Sequence, residues 1–520
     1  MATLAERIAE SLKLGGVRRI FGIPGGGSSL DLMEATRRQG IDFVVTRTES
    51  AATIMAAITG EMTGIPGVVL VGVGPGASSA TNGLAYASVE RSPMFLFVDG
   101  PASSAHQHFD QQALYAPITR TTAHLQGDTA MQDFADAWLK AVSPPEGPAM
   151  FEFTAANATA DIAGLPSTME PQKSKPAVVD DDLKNHLSNA RHPIAVIGLE
   201  ARQYETEVRQ LLETFNIPAV STYKALGVIS NDSPLFIGPA TGAVGETTFY
   251  EGADTIIGIG FDPIEFIPGT WPQNLPAFIS LSEAEITNPR IPIWSELVGK
   301  LPESLDEIAK LLRTSDWTDD EIESKRIKAQ SIYQPRGAAF SCAAAIEVIA
   351  ETSPKGTRIA CDAGAHMFAT LGLWPAGNAF DVLKSNGLST MGYALPAAIA
   401  AKLCDPDKST IAITGDGGMS MCLGELATAK ELGLDITVIV MNDAALSLID
   451  IKQQRQQRPP TGVRYPTIDY AAIAKAFGWA SAVANNTDDL RDAMGMAGPK
   501  LIDVRVDPAG YGEDLERLRG

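Results

Sequence analysis

The sequence predicts an α/β protein made of three doubly wound parallel-sheet domains. Three observations predict it. The chain has 520 residues, and domains usually run to roughly 100–200 residues, so three is the central expectation. Apolar strands, glycine-rich turns and helices follow one another in rotation, the pattern of a parallel sheet. Two polar stretches, 166–176 and 314–334, read as linkers between blocks. The expected domains are 1–165, 177–313 and 335–520.

In the first block, residues 5–14 read as a helix. Residues 17–23 read as a strand that runs into Pro24 and the triple glycine Gly25, Gly26 and Gly27. A helix at 28–39, a short strand at 43–45 and an Ala-rich helix at 49–63 follow. The apolar strand 67–71 enters GVGPG at 72–76, and 94–98 is a further strand. The second block reads as strands at 193–198, 217–221 and 255–260, a helix at 204–215, and a charged helical stretch up to Leu312. The third block repeats the first in style. Its strands are 358–361, 410–414, 436–441 and 501–506. Its helices are 394–403, 423–432, 471–477 and 487–494, with a short helix-like tail.

Composition narrows the function. At 45% hydrophobic and 20% charged the chain is globular in composition, not disordered. Lys and Arg number 41 against 62 Asp and Glu, a net charge of −21. That balance argues against nucleic acid, whose phosphates need a surplus of Lys and Arg. It also disfavours an anionic membrane surface, but not an anionic small substrate in a locally positive site. The four cysteines, Cys342, Cys361, Cys404 and Cys422, form no C-x-x-C pair, as suits a reducing compartment. The N-terminus opens as an amphipathic helix without a long apolar signal core. No apolar run approaches the ~20 residues that span a bilayer. The cytoplasm is the expected location, with no membrane partner.

The most informative stretch is IAITGDGGMSMCLGELATAKELGLDITVIVMNDAAL, residues 411–446. A buried strand ends before Gly415, Asp416, Gly417 and Gly418, a helix crosses back, and a second buried strand ends at Asn442 and Asp443. Such a crossover is right-handed, so both carboxyl ends lie on one edge of the sheet, where α/β proteins bind ligands. Asp416 and Asp443 are therefore expected to converge. Two hard oxygen donors beside glycine amides suit Mg²⁺ on a diphosphate. Gly-Asp-Gly alone also makes ordinary turns; the following Asn-Asp is what sharpens the signal.

This segment resembles the cofactor signature of thiamine diphosphate-dependent enzymes, in which GDG is followed by Asn-Asn. The resemblance implies that Asp416, Asp443 and the carbonyl of Ala445 hold Mg²⁺, with Asp443 in place of the usual Asn. FGIPGGG at 21–27 resembles the opening of the family's pyrimidine-binding domain, which brings Gly25 and Gly26 to the cofactor. TRTESAA at 46–52 resembles the segment carrying the catalytic acid, here Glu49. That acid contacts the aminopyrimidine ring and promotes loss of the thiazolium proton, work that suits a carboxyl in a largely apolar pocket. Glu49 also suits a helix N-terminus capped by Thr46 or Thr48.

VGPGASSATNGLAYASVERSPM at 73–94 resembles the GPGATN segment that lines the cofactor cleft, with Ser79 where acetolactate synthases have Asn. In STMGYALPAAIAAK, 389–402, Met391 matches the apolar residue that props the cofactor in its bent form. CDAGAHM at 361–367 resembles DVGQHQM of acetolactate synthases, with Gly364 and His366 matching. The three domains are then pyrimidine-binding, central and diphosphate-binding.

The resemblance implies a 2-oxo acid or related carbonyl substrate. Where benzoylformate-type enzymes carry a His, this chain has Gly72, and the triple glycine is more like acetolactate synthase. HQHFDQQALYAPITR at 106–120 aligns with the AFQE-containing loop, Gln107 matching its Gln while His106 and His108 replace Phe and Glu. These two histidines are candidate proton donors or carboxylate ligands. In the middle block, Gly198 to Arg202 and Gly260 to Pro263 lie where some relatives bind FAD or ADP, yet no dinucleotide motif is present, so FAD stays open. Larger relatives have a C-terminal lid after the last strand; the short tail here leads to the expectation of none, and so of a more open cleft or closure by another segment. The expected activity is acetolactate synthase-like carbon–carbon cleavage or formation. The alternatives are a non-ligating decarboxylase or C–C hydrolase, and a catalytically silent regulatory homologue. The family pattern also implies a homodimer or homotetramer with active sites at the subunit interface.

Overall fold

The computed structural model describes residues 2–100, 107, 109–163, 179–266, 275–286, 291–333 and 340–519. It contains three six-stranded sheets, parallel throughout and flanked by helices. The first sheet comprises β1 (Arg19–Ile23), β2 (Asp42–Val45), β3 (Gly67–Val71), β4 (Met94–Asp99), β5 (Thr121–His124) and β6 (Pro148–Phe153). The central sheet comprises β7 (Pro193–Ile197), β8 (Ala219–Ser221), β9 (Phe236–Pro239), β10 (Thr255–Ile259), β11 (Ala277–Ser282) and β12 (Ile293–Val298). The third comprises β13 (Arg358–Cys361), β14 (Val382–Lys384), β15 (Thr410–Gly415), β16 (Thr437–Asn442), β17 (Ala480–Ala484) and β18 (Lys500–Arg505).

The first and third sheets share one strand order. It is β2-β1-β3-β4-β6-β5 in the first and β14-β13-β15-β16-β18-β17 in the third. The likeness read from sequence between these blocks is thus a likeness of topology. The central sheet differs, with the order β9-β8-β7-β10-β11-β12. Inner strands are apolar on both faces, as a sheet covered by helices on each side requires; all of β3, β4, β6, β7 and β10 is buried.

By contacts the chain divides into two compact units. One joins Met1–Lys173 to Gly387–Asp407 and Ser420–Leu434. The other joins Ser174–Asn386, Lys408–Met419 and Asp435–Gly520. In the first unit the helix Glu49–Thr63 packs against the helix Ala394–Cys404. Both are Ala-rich and buried on nearly every face, which explains the absence of a polar stripe in their sequences.

One linker expectation is corrected. Residues 319–333 form a helix, Asp319–Tyr333, whose Ile322, Lys325, Ala329 and Tyr333 are buried. Thr318 and Glu321 form a reciprocal capping box, Thr318 N donating to Glu321 Oε2 at 2.9 Å and Glu321 N to Thr318 Oγ1 at 3.3 Å. The Lys325 ammonium lies 4.9 Å from the centre of the Trp317 ring, a cation–π contact. High charge mimicked a linker, but the cap and the sparse apolar face are helical. The expected linker 166–176 lies outside the described residues. No helix among the described residues is long and apolar enough to cross a membrane.

Candidate active site

Two clusters of functional groups occupy carboxyl edges of sheets, one in each unit. In the first unit Glu49 opens the helix Glu49–Thr63. The Thr48 hydroxyl caps this helix by accepting from Ala51 N at 3.1 Å. Glu425, itself buried, accepts from Arg47 N at 3.0 Å and Thr48 N at 3.2 Å, so one carboxylate fixes the residues leading into Glu49. Burial pushes the Glu425 carboxyl up. A Cβ added at Gly76 would stand 3.5 Å from Glu49 Oε1, so the acid lies beside the second glycine loop. Burial, and then the Glu49 charge, pushes up the nearby Tyr115 hydroxyl.

The triple glycine is organised by Asp99, the buried last residue of β4. Its carboxylate accepts from Gly27 N at 3.2 Å, Ser28 Oγ at 2.8 Å, Ser29 N at 2.6 Å and Ser29 Oγ at 2.7 Å. A Cβ at Gly25 would lie 1.9 Å from Asp99 Oδ2, whereas one at Gly26 meets nothing within 4 Å. Packing therefore demands glycine at Gly25, and Gly26 borders open space. Gln111 ties the two loops together: its Oε1 accepts from Gly74 N at 3.0 Å, and its Nε2 donates to the Asp99 carbonyl at 3.2 Å.

Gln107 is exposed, and its carbonyl oxygen is 2.6 Å from where a Cβ on Gly74 would stand. Ser79 is exposed at the end of a short helix. Met391 is half-buried, and its neighbour Thr390 accepts from Asn82 Nδ2 at 2.9 Å. His106 and His108 lie outside the described residues.

In the second unit β15 and β16 pair in parallel with Gly415 opposite Met441, so the chains leave the sheet side by side. Asp416 begins the helix Asp416–Cys422, which makes GDGG a strand-to-helix junction. Its Oδ1 accepts from Gly417 N at 2.7 Å and Tyr465 OH at 2.8 Å, and its Oδ2 from Ala444 N at 2.7 Å. Tyr470 OH donates to the Asp416 carbonyl at 2.6 Å.

Asp443 accepts from Ala445 N at 3.1 Å and Ser447 Oγ at 2.6 Å. Ala444 between them has φ +60°, a left-handed conformation uncommon for a residue with a Cβ. That turn folds Asp443 and Ala445 back beside Asp416. Burial pushes Asp416 up; burial, and secondarily the Asp416 charge, pushes Asp443 up to about 6.

The glycines here divide as well. A Cβ at Gly418 would lie 2.1 Å from Asp362 Oδ2, so packing demands glycine there. A Cβ at Gly415 would stand 3.4 Å from the His366 ring. The Gly417 amide is engaged by the Asp416 carboxylate itself. His366, at the start of the helix His366–Leu373, is 4% exposed, and its Nε2 has no hydrogen-bond partner. Burial, helped by the Lys384 charge, pushes His366 down to about 3, so the imidazole is neutral.

No group of three or more His, Cys, Asp and Glu among the described residues is arranged to hold a metal. The neighbouring carboxylates of Asp416 and Asp443 nonetheless offer hard oxygen donors. A small divalent cation would complete its octahedron there with phosphate oxygens and water. The buried Nε2 of His366, on the same sheet edge, has no hydrogen-bond partner, and a bound ligand would satisfy it. The residues fit a metal-bound diphosphate.

Sequence reasoning missed Glu425, Asp99, Gln111, Tyr465 and Tyr470. Asp99 had a readable signal, a lone acid closing the apolar run MFLFV. The two tyrosines had none, since their hydroxyls reach Asp416 across 49 and 54 residues of chain.

Comparison with known proteins places these clusters in context. Three consecutive family descriptions match the chain. They are the N-terminal TPP binding domain of thiamine pyrophosphate enzymes over 2–119, their central domain over 181–308, and their C-terminal TPP binding domain over 362–504. Thiamine pyrophosphate is thiamine diphosphate under its other name. The chain is 28% identical over 533 residues to the acetolactate synthase of Bacillus subtilis (strain 168), covering 97% of this chain and 93% of the relative. It is 27% identical to the catabolic acetolactate synthase of Raoultella terrigena, covering 97% and 95%. It is 28% identical to the acetolactate synthase large subunit of Lactococcus lactis subsp. lactis (strain IL1403), covering 96% and 92%. With matches in order along nearly its whole length, the chain belongs to the thiamine diphosphate-dependent enzyme family, in its acetolactate synthase-like group.

Proposed function

We propose that the protein binds thiamine diphosphate with Mg²⁺ and cleaves or forms the carbon–carbon bond next to the carbonyl of a 2-oxo acid or related substrate. The observation that carries this reading is the Asp416–Ala444–Asp443 turn, where two carboxylates from adjacent strand ends share one left-handed bend. Asp416, Asp443 and the Ala445 carbonyl hold the metal. Gly415, Gly417, Gly418 and His366 border the diphosphate. Gly25, Gly26, Ser79 and Met391 border the rest of the cofactor. When bound, thiamine diphosphate supplies the electron sink for bond cleavage beside a carbonyl.

The chain's own part is positional and protonic. Glu49, fixed by the Thr48 cap and by Glu425 behind it, holds and moves a proton at the aminopyrimidine. Gln107, at the rim of the Gly74 loop, orients the substrate, and His106 and His108 bind its carboxylate or donate protons. The domains are pyrimidine-binding over 1–165, central over 177–313 and diphosphate-binding over 335–520. The enzyme acts in the cytoplasm as a homodimer or homotetramer, with Glu49 of one subunit serving the cofactor held by another. None of the four cysteines is in a disulfide, which supports a reducing compartment.

Calorimetric titration with thiamine diphosphate and Mg²⁺, followed by a panel of 2-oxo acids with CO₂ and products recorded, tests the proposal. Metal-dependent binding followed by CO₂ release is expected. A ligation product would assign carboligase activity, and an aldehyde would assign simple decarboxylation. Absence of binding would leave a silent homologue.

A further inference from the structure

The central sheet has the strand order of dinucleotide-binding folds, counted 3-2-1-4-5-6 along its own six strands. In that order the ligand's pyrophosphate lies at the carboxyl edge, where the order reverses. Here the reversal falls between β7 and β10, and the loops in question are Gly198 to Glu200 and Gly260 to Glu265. These are the loops at which the sequence leaves FAD open.

The crevice between these loops is closed. Gly198 N donates to the Ile259 carbonyl at 2.9 Å, and Glu200 N to the Gly260 carbonyl at 3.0 Å, directly across the switch point. A Cβ at Gly198 would lie 2.3 Å from Phe261 Cα, so the loops touch through backbone. The amides and hydroxyl that would meet an anion are already engaged. Leu199 N donates to Glu265 Oε2 at 2.9 Å, Asp262 N to the same oxygen at 3.2 Å, and Thr222 Oγ1 to Glu265 Oε1 at 2.5 Å. Glu265 is 3% exposed and Thr222 is fully buried.

We propose that the Glu265 carboxyl group is a built-in occupant of the pyrophosphate position, and that the central domain for this reason holds neither FAD nor ADP. A backbone donor set that other proteins of this strand order offer to a ligand is here satisfied internally, so the domain is a scaffold. The inference is independent of the Asp416 cluster.

The test uses protein saturated with thiamine diphosphate and Mg²⁺, so that the probes do not reach the Asp416 site. Purified wild type should show no flavin absorbance and should bind neither FAD nor ADP in equilibrium dialysis. Glu265→Ala frees Leu199 N, Asp262 N and the Thr222 hydroxyl, and should bind inorganic pyrophosphate at least roughly tenfold more tightly than wild type, since charge-assisted bonds to an anion are strong. Glu265→Gln, which keeps the shape and an acceptor oxygen, should show no such gain. One flavin or ADP per wild-type chain would overturn the proposal, as would a folded Glu265→Ala protein with unimproved pyrophosphate binding. If Glu265→Ala does not fold, the wild-type dialysis alone decides.

Discussion

Asp416, just beyond β15, and Glu265, just beyond β10, are both buried carboxyl groups on the carboxyl edge of a parallel sheet, and each accepts from three donors. Their surroundings diverge. Beside Asp416 the chain bends back through Ala444 to bring in a second carboxylate, and His366 Nε2 is left without a partner. Beside Glu265 the two strand-end loops bond to one another and close. An edge becomes a ligand site when its loops leave polar groups unspent. Neither strand order nor the presence of an acid is enough, and a nucleotide-type strand order accompanies the closed edge here.

The largest effect should fall on the first unit and spare the central domain. Glu49→Gln should slow exchange of the cofactor's thiazolium proton by about 10²–10⁴-fold, the usual contribution of a positioned acid or base. Cofactor binding should be retained. Glu265→Gln should leave the exchange rate unchanged. Proton-exchange NMR on the two variants reads both outcomes, and equal losses would break the comparison.

The next effect concerns stability. Burial pushes Glu265 up from 4.5 to about 7, against the pull of the Thr222, Leu199 and Asp262 donors, with the Asp262 charge adding to the rise. Between these values the folded chain holds a proton that the unfolded chain has released. The Glu265 contribution is thus fully present below pH 4.5 and is lost as pH rises through 7. The loss should amount to about 3 kcal/mol. Glu265→Gln cannot titrate, so the stability difference between wild type and variant should shift by that amount between acidic and mildly alkaline pH. Denaturant melts at several pH values measure it, and a pH-independent difference would show that Glu265 does not titrate in this window.

Asp443→Ala should weaken Mg²⁺-dependent cofactor binding by roughly 10- to 100-fold, the range seen when even an outer-shell partner of a metal ligand is removed. Calorimetry with and without Mg²⁺ measures it. An unaltered titration would remove Asp443 from the metal set and with it the contrast with Glu265.

Much of the open edge was legible in sequence, and almost none of the closed one. Asp416 and Asp443 each follow a run of apolar residues long enough to be a buried strand, so their place at one edge follows from local pattern and crossover handedness. Glu265 sits in FDPIEF, where the sequence singles out Gly260 to Pro263 but not the acid, and its donors at Leu199 and Thr222 lie 66 and 43 residues away. The same holds for Gly418. GDGG reads as a phosphate loop, yet the constraint on its last glycine is the Asp362 carboxylate, which no local pattern reveals. The helix Asp319–Tyr333 was misread because its charge outweighed a face of few apolar residues, although its Thr-x-x-Glu cap was in plain view.

The smallest effect separates glycines that packing requires from glycines that a ligand requires. Gly25 and Gly26 are adjacent in one loop, yet a Cβ on Gly25 would collide with Asp99 Oδ2 at 1.9 Å and one on Gly26 meets nothing within 4 Å. Asp99 cannot easily withdraw, because it holds four donors from Gly27, Ser28 and Ser29. Gly25→Ala should therefore cost about 1–3 kcal/mol, as overpacking does. Gly26→Ala should stay within about 0.5 kcal/mol of wild type. Its effect, if Gly26 borders the cofactor, should appear only in the thiamine diphosphate titration. Thermal melts without cofactor, set beside calorimetry with it, separate the two. A destabilised Gly26→Ala apoprotein would mean that this loop, like the one at Glu265, is closed by its own packing.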